Sequence, residues 1–155
     1  MSELTHLDDK GNARMVDVGA KTETHRVAVA EAHLAMSAEA REALFAGKLP
    51  KGDALAVARI AAIQGAKQTA QLIPLCHPLA VDAITADVQK TDSGARIVVS
   101  VEITAKTGVE MEAITGAGVG AVALYDMIKA VDRAAVIGPI QLLEKRGGKS
   151  GDWTR

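Results

Sequence analysis

The sequence predicts an α+β protein of the ferredoxin-like type, with helices packed on one face of a largely antiparallel sheet in the order β-α-α-β-β-α-β. Segments 22–36 and 95–105 alternate small or apolar residues with polar ones, which is the period of half-buried strands. Segments 53–72 and 112–131 carry apolar residues at helical spacing. The pattern leaves the order of the strands in the sheet open.

Capping residues mark the ends of the first two helices. Ser37 is a good N-cap for a short helix that Gly47 can end, and Asp53 can cap the second helix. This second helix is expected to continue to about Leu72. Its apolar face is predicted to consist of Ala56, Ile60 and Ile63, followed one turn later by Lys67.

The strands of the second half are delimited by turn residues. Strands at 80–90 and 95–105 flank Asp92-Ser93-Gly94, a hairpin signal. The second of these strands turns its apolar residues to one side. A last strand is predicted at 134–145, entered through Gly138-Pro139.

Composition indicates one domain with an unusually small-residue core. The 155 residues fit a single domain, 1–155, with a loose arm at 1–20 and a flexible glycine-rich tail at 147–155. Hydrophobic residues make up 48% of the chain but aromatic residues only 2%, so Ala, Val, Ile and Leu must fill the core. Small side chains require elements that approach closely, and such chains often bury further surface by oligomerising.

Charge and hydropathy argue against several classes of protein. With 18 basic and 19 acidic residues the net charge is −1, which lacks the basic excess of a nucleic-acid binder. No apolar run approaches the ~20 residues that span a bilayer, and residues 1–19 lack a signal-peptide core. The single cysteine, Cys76, cannot form an internal disulfide. We therefore expect a cytoplasmic protein with no nucleic-acid or membrane partner.

The motif Pro74-Leu75-Cys76-His77-Pro78 is the first candidate for chemistry. Two prolines stiffen the segment and display His77, which suits general acid–base work or a phosphate contact. The alternative is a histidine that simply satisfies a turn. Cys76 is predicted to be an inert thiol, with a nucleophilic role as the alternative. The histidines and Cys76 show no zinc-ligand spacing, so no metal site is predicted.

The segment Lys106-Thr107-Gly108-Val109-Glu110-Met111-Glu112 joins the hairpin to the long helix. Its two glutamates lie near the helix N-terminus, where the helix dipole favours carboxylates. They are therefore either ordinary helix-start charges or functional groups.

Three glycines inside the long helix, Gly116, Gly118 and Gly120, fit a dinucleotide-binding fingerprint by letter. They lie within a helical pattern rather than in a turn directly after a strand, so the context is wrong. Each glycine costs about 1 kcal/mol of helix propensity. Close packing of a neighbouring backbone against this helix is the better interpretation.

Three lysines stand where other groups could orient them. Asp126 and Lys129 share a helix face at i, i+3. They are either a surface ion pair or a lysine that a carboxylate orients to move protons or bind phosphate. Lys51 precedes Gly52-Asp53, where a loop opens a helix whose N-terminus can bind an anion. Lys67 either extends its ammonium to solvent or reaches into a site.

Taken together, these motifs resemble the MoaC family, the cyclic pyranopterin monophosphate synthases of molybdenum cofactor biosynthesis. The resemblance covers residues 4–152 or so. Its most specific parts are the histidine motif at 74–78, the segment at 106–112, and Tyr125-Asp126-Met127 with Lys129. Further matches, in the right order, are Met15-Val16-Asp17-Val18, Lys51-Gly52-Asp53, Ile137-Gly138-Pro139 and Gly147-Gly148-Lys149-Ser150-Gly151.

The resemblance implies a lyase that converts 3′,8-cyclo-7,8-dihydro-GTP into cyclic pyranopterin monophosphate and releases pyrophosphate. The implied partner is this purine-derived triphosphate, with no resident cofactor; whether Mg²⁺ accompanies the triphosphate stays open. The family also implies a homohexamer, a trimer of dimers.

The same resemblance suggests a role for each candidate residue. Lys51 and Lys129 would move protons, with clustered positive charge lowering the lysine pKa values, and Asp126 would orient Lys129. The residues expected to hold the ring are Leu75, Cys76, His77, Glu110, Met111 and Glu112. The candidates for the triphosphate are Arg26, Lys67 and Lys149.

Helix geometry adds an expectation about assembly. If residues 110–129 form one straight helix, Glu110 and Asp126 lie about 24 Å apart along it, at ~1.5 Å per residue. Two groups so far apart are not expected to meet in one small pocket of one chain. A site that uses both helix ends is therefore predicted to form between subunits.

Other classes of function remain as rivals. The glycine run would suit a nucleotide-dependent oxidoreductase, recognisable by tight binding of NAD. A non-catalytic oligomeric module that binds a phosphorylated metabolite would bind ligand without turnover. A purely structural oligomer would leave the concentrated Lys, His and Glu segments unexplained.

Overall fold

A five-stranded sheet forms the frame of the structure, a computed structural model that describes residues 6–155. The strands are β1 (Thr24–Ala35), β2 (Ala83–Thr91), β3 (Gly94–Ala105), β4 (Val136–Arg146) and β5 (Trp153–Thr154). They lie in the order β2-β3-β1-β4-β5, and each neighbouring pair is antiparallel. Of the arm predicted at 1–20, residues 1–5 lie outside the described residues.

One face of the two central strands forms the floor of the core. On β1 the alternate residues Ala28, Ala30, Ala32 and Leu34 are buried, and on β3 so are Ile97, Val99, Val101 and Ile103. The register places Ala30 opposite Val99 and Ala32 opposite Ile97, so small residues face branched ones. Both period-two predictions and the α+β, ferredoxin-like prediction are confirmed.

Four helices complete the fold: α1 (Ala38–Phe45), α2 (Ala54–Lys67), α3 (Thr69–Leu72) and α4 (Glu110–Ile128). The predicted caps are confirmed, because Ser37 Oγ accepts from the Ala40 amide at 3.2 Å and Asp53 Oδ1 from the Ala56 amide at 3.0 Å. The predicted helix at 53–72 is instead two helices. The break lies where the Thr69 hydroxyl donates to the Ala66 carbonyl at 2.9 Å, a local bond that competes with the helical pattern.

The predicted buried face of α2 was wrong. The buried residues are Ala54, Ala58, Ala62, Gly65 and Ala66, whereas Ile60 is 63% exposed. The smallest side chains face α4 because they allow the two helices to approach, and the larger apolar residues remain outside. Lys67 is consequently exposed rather than on the buried side of α2.

Close contact between α2 and α4 explains two of the three glycines that the sequence places inside the long helix. A methyl group added at Gly116 would lie 2.9 Å from the Ala62 carbonyl oxygen, and one at Gly120 would lie 3.0 Å from Ala62 Cβ. On α2, a methyl group added at Gly65 would lie 2.7 Å from Cβ of Val119 on α4. The prediction of close backbone packing is confirmed, and these glycines lie inside α4 rather than in a nucleotide-binding turn.

Helix α4 is long and apolar enough to cross a membrane by length and composition. Half of the apolar window is buried inside the protein, where α4 packs against α2, β1 and β3. This burial is typical of the core helix of a globular domain.

Two element boundaries differ from the predictions in the last third of the chain. Helix α4 begins at Glu110 and ends at Ile128, earlier at both ends than the predicted 112–131. Strand β4 spans Val136–Arg146 instead of the predicted 134–145, and its pairing with β1 shifts register between Ala32 and Leu34, next to Gly138-Pro139. The short strand β5, which pairs with β4, was not predicted.

The glycine packing predicts opposite effects for two neighbouring substitutions. Gly116→Ala is expected to lower the free energy of unfolding by about 1–3 kcal/mol, because the methyl group overpacks the contact with α2. Gly118→Ala is the matched control, because its methyl group would lie 3.5 Å from Ile140 Cδ1 and the change gains about 1 kcal/mol of helix propensity. Urea denaturation measures both. Equal stabilisation by the two substitutions would contradict the close α2–α4 contact.

Candidate active site

A cavity of about 350 Å³ lies where the N-terminal arm crosses the start of α4. We call it the histidine pocket. The loop between α3 and β2 contributes Leu75, Cys76 and His77, and the first turn of α4 contributes Glu110, Met111 and Glu112. The structure thus brings together all six residues that the sequence suggested for ring binding. Val16 and Val18 of the N-terminal arm also line this cavity.

His77 is held in a defined orientation in this pocket. Its Nε2 lies 2.8 Å from the carbonyl oxygen of Val16. Because a carbonyl can only accept, Nε2 carries the hydrogen of the neutral ring, and Nδ1 is the nitrogen that can take up a proton. The histidine therefore does more than satisfy a turn within its own loop, since it binds the arm from the opposite wall.

Glu112 is a buried carboxylate, only 5% exposed. Burial raises the pKa of its carboxyl group, the neighbouring Glu110 charge raises it further, and His77 lowers it. Such a group differs from an ordinary charge at the start of a helix, which would be solvated. A carboxyl group with a raised pKa can hold a proton or accept a hydrogen bond from a bound ring.

The thiol of Cys76 is poorly suited to nucleophilic attack. Burial raises its pKa, and the nearby Glu112 charge raises it further. The thiolate is the reactive form, so this environment favours the inert interpretation of Cys76.

A second, larger cavity of about 950 Å³ lies beside the first and is rich in positive charge. We call it the cationic pocket. Lys21, Arg26 and Lys149 line it, and no carboxylate is among the described residues that do so. Arg26 is fixed there because it donates to the carbonyl oxygens of Ala105 at 3.2 Å and Lys106 at 3.3 Å. This pocket brings together two of the three candidates for the triphosphate.

Lys67, the third candidate, lies elsewhere. It lines a separate cavity of about 290 Å³ together with His77 and Glu112, and no described residue of the arm lines this cavity. Within one chain Lys67 is thus close to the histidine pocket and not to Arg26 and Lys149.

A third group of candidates lies at the far end of α4. Asp126 Oδ2 accepts from Lys51 Nζ and Asp126 Oδ1 from Lys129 Nζ, each at 2.7 Å. Lys51 Nζ also donates to the Asp126 carbonyl oxygen at 2.9 Å. We call these three residues the Asp126 cluster. The structure confirms that the carboxylate contacts Lys129, and it adds Lys51 to the same carboxylate.

The charges of the Asp126 cluster correct one expectation. Hydrogen bonds from Lys129 and then Lys51 lower the pKa of Asp126 to about 2. The Asp126 carboxylate raises the pKa of Lys129 rather than lowering it. The expectation of a lowered lysine pKa was wrong for Lys129, because its nearest charge is an anion and not another cation. In this arrangement Lys129 holds its proton more firmly.

The cluster and the histidine pocket lie at opposite ends of one helix. Because α4 runs unbroken from Glu110 to Ile128, Glu110 and Asp126 are about 24 Å apart along its axis, at ~1.5 Å per residue. A single chain therefore does not bring all the candidate residues into one cavity.

Comparison with known proteins identifies the family to which this chain belongs. The model of the MoaC family matches residues 15–148, which include every candidate site residue except Lys149. The chain belongs to the MoaC family.

Three relatives that match this chain over nearly its whole length carry the name cyclic pyranopterin monophosphate synthase. One from Corynebacterium glutamicum is 55% identical over 154 residues, which is 99% of both chains. One from Corynebacterium efficiens is 54% identical over the same share. One from Novosphingobium aromaticivorans is 52% identical over 153 residues, covering 99% of this chain and 98% of the relative.

Sequence reasoning missed the part of the candidate site that the arm and Lys21 supply. Val16, Val18 and Lys21 line the histidine pocket, and Lys21 also lines the cationic pocket. Met15-Val16-Asp17-Val18 had pointed to the family but not to a wall of the site. An isolated lysine in a polar arm carries no local pattern, so only the path of the arm could place Lys21. Among residues 6–155 no group of three or more His, Cys, Asp or Glu could hold a metal ion.

The buried carboxyl group of Glu112 predicts a gain in stability on its removal. Glu112→Gln is expected to unfold at a higher temperature than wild type near neutral pH, because the native protein no longer buries a charge. Each kcal/mol gained raises Tm by roughly 2–4 °C for a chain of this size.

The pH dependence of this gain follows from the raised pKa. Below the ordinary glutamate pKa of 4.5 both states are protonated, and the variant and wild type should be equally stable. As pH rises, the unfolded chain loses this proton first, so wild-type stability falls until the folded-state pKa is passed. Thermal denaturation across this range, with the exposed Glu23→Gln as control, measures the difference. A variant no more stable than wild type at neutral pH would contradict the cost of burial.

Proposed function

We propose that this chain is a cyclic pyranopterin monophosphate synthase, acting in molybdenum cofactor biosynthesis. It would convert 3′,8-cyclo-7,8-dihydro-GTP into cyclic pyranopterin monophosphate with release of pyrophosphate. The observation that carries the proposal is the identity of 52–55% over essentially the full length of relatives with that name. The geometry of the pockets is consistent with each demand of such a substrate.

The histidine pocket is the proposed site of the purine-derived ring. Its volume of about 350 Å³ suits a bicyclic ring system. The buried Glu112 can accept hydrogen bonds from ring N–H groups, and Nδ1 of His77 is the proposed proton-transfer atom of this pocket. Leu75 and Met111, each more than one-third exposed, offer apolar surface for the ring faces.

The cationic pocket is the proposed site of the triphosphate. Lys21, Arg26 and Lys149 supply positive charge around one cavity, and charged hydrogen bonds to phosphate oxygens are among the stronger polar contacts. Lys21 lines both pockets, so the ring and the phosphates of one molecule can occupy adjoining cavities. Lys67 would then approach the substrate from the ring side, next to Glu112.

Lys51 and Lys129 are the proposed proton-transfer residues. Asp126 holds both ammonium groups within 2.7 Å and keeps Lys129 protonated. A protonated lysine can donate to the developing negative charge of an opening or closing ring, and a lysine that has donated can act as base in the next step. Asp126 serves both as the counterion and as the group that fixes their direction.

We further propose that each complete site is shared between subunits of a homohexamer built from dimers. The separation of about 24 Å between the ends of α4 supports sharing. Large apolar residues left exposed support an interface: Val57 and Ile60 on α2, Val122 on α4, and Val136 and Ile140 on β4. A cytoplasmic location is part of the proposal, supported by the free thiol of Cys76.

The assignment of the lysines predicts a loss of turnover without a loss of fold. Lys51→Ala and Lys129→Ala are each expected to lower kcat by about 10²–10⁴-fold, the usual contribution of a positioned proton-transfer group. The ion pairs are about half exposed, so the variants should unfold near the wild-type temperature. Enzymatically prepared cyclised dihydro-GTP is the substrate, and pyrophosphate and the pterin product are measured.

Lys48→Ala is the matched control, an exposed lysine in the same loop, and should turn over normally. Near-normal turnover by both Lys51→Ala and Lys129→Ala would show that the proton-transfer roles are wrong. If intact wild-type protein gives no product at all, a non-catalytic module that binds a phosphorylated metabolite becomes the better description.

Shared sites predict that two inactive variants restore activity together. His77→Ala and Lys51→Ala would damage opposite halves of the site, so a mixed interface contains one intact site. Co-expression with two different tags, followed by purification through both, should recover roughly a quarter of wild-type activity if subunits assort randomly.

The matched control combines Lys51→Ala with Lys129→Ala, which damage the same half, and should recover nothing. Recovery in neither mixture would mean that each chain builds its own site. Sedimentation of the wild-type protein tests the hexamer separately.

A further inference from the structure

The N-terminal arm forms a wall of the histidine pocket, but residues 6–20, the described part of the arm, have few anchors to the rest of the protein. Val16 and Val18 of the arm line that pocket together with Lys21, the residue that follows the arm. Only the isolated bridge between Leu7 and Ala13 gives the described part of the arm any strand pairing. The position of this wall therefore depends on individual side-chain contacts.

Two such contacts join the arm to the body of the protein. On one side His77 Nε2 binds the Val16 carbonyl oxygen at 2.8 Å. On the other, Lys106 Nζ donates to the Gly19 carbonyl oxygen at 2.7 Å. The first contact belongs to a residue of the proposed site. The second contact belongs to Lys106, to which the proposed function assigns no role.

The stretch of arm between these contacts is a compact turn. Asp17 Oδ1 accepts from the Gly19 amide at 2.8 Å, and the Lys21 amide donates to the Val18 carbonyl oxygen at 3.0 Å. Because these bonds hold residues 17–21 in one turn, the position of Gly19 constrains the position of Lys21. Lys21 is the residue that lines both the histidine pocket and the cationic pocket.

The backbone of Lys106 is held in place by the sheet. It follows the last residue of β3, Ala105, and Arg26 of β1 donates to the carbonyl oxygens of both Ala105 and Lys106. The ammonium that binds the arm thus starts from a fixed backbone. The next residues, Thr107 and Gly108, line the histidine pocket themselves.

We propose that Lys106 is a positioning residue that clamps the Asp17–Lys21 turn to the end of β3 and so sets Lys21 at the junction of the two pockets. This inference rests on the proposed function for the identity of the substrate. The clamp itself is a contact within the chain, between Lys106 and Gly19, and does not depend on the identity of the substrate. Lys106 acts on substrate through Lys21 and does not contact the substrate.

The test compares Lys106→Met, which keeps the length of the side chain but removes the donor, with Lys106→Arg, which keeps a donor. Lys90→Met is the control, because Lys90 also makes a short polar contact, to Glu42 at 2.8 Å, but lies far from the arm in the sheet hairpin. Three quantities are measured on the full chain: amide hydrogen exchange of residues 16–21, the Kd for inorganic triphosphate, and KM and kcat with cyclised dihydro-GTP.

Lys106→Met is expected to speed exchange of the Gly19 and Lys21 amides about tenfold, the order expected for the loss of one charge-assisted hydrogen bond. The Kd for triphosphate and the KM should rise by a similar factor, while kcat changes much less because the proton-transfer groups are untouched. Lys106→Arg should recover most of each effect. Lys90→Met should match wild type in all three.

Two results would overturn the clamp. Weaker triphosphate binding with unchanged exchange would mean that Lys106 contacts the ligand directly. Faster exchange with unchanged Kd and KM would mean that the position of the turn does not matter for binding. If Lys106→Met loosens the turn and weakens triphosphate binding but wild type shows no turnover, the clamp stands and the proposed reaction is the part that fails.

Discussion

The contact between α2 and α4 is the constraint on which the rest of the structure depends. With almost no aromatic residues, the chain reaches native packing density by bringing two helix backbones together through Ala58, Ala62, Gly116 and Gly120. This contact holds α4 flat on the alanine-lined strand β1. A helix so closely packed along its length is straight and continuous, and its two ends are fixed far apart.

The separation of the helix ends shapes the candidate site. One end presents Glu112 beside His77, and the other presents Asp126 between two lysines. The same small-residue packing that makes the core compact also pushes larger apolar side chains such as Ile60 to the surface. A core that excludes its bulky apolar residues leaves them exposed, and the proposed homohexamer would use them as an interface.

The two ends also differ in their electrostatics. Glu112 is buried, and the loss of solvation raises its pKa, so its charge is costly. Asp126 is exposed, and two ammonium groups lower its pKa to about 2, so the carboxylate stays ionised at neutral pH. One end of α4 is therefore suited to exchanging a proton with a ring, and the other to holding cations in place. The arm, held by His77 and Lys106, connects the first end to the cationic pocket.

The sequence by itself determined the fold class, the strands from their period of two, the caps at Ser37 and Asp53, and six of the residues that line the histidine pocket, since these are local patterns or short motifs. Only the tertiary structure decided which face of α2 is buried, that Lys51 shares the carboxylate of Asp126, and that Lys21 lies between two pockets. The face of α2 was misjudged because hydrophobicity favours Ile60, whereas the space between α2 and α4 admits only alanine and glycine. The pKa of Lys129 was misjudged because neighbouring cations were expected to dominate, whereas the nearest charge is the Asp126 carboxylate, three residues away.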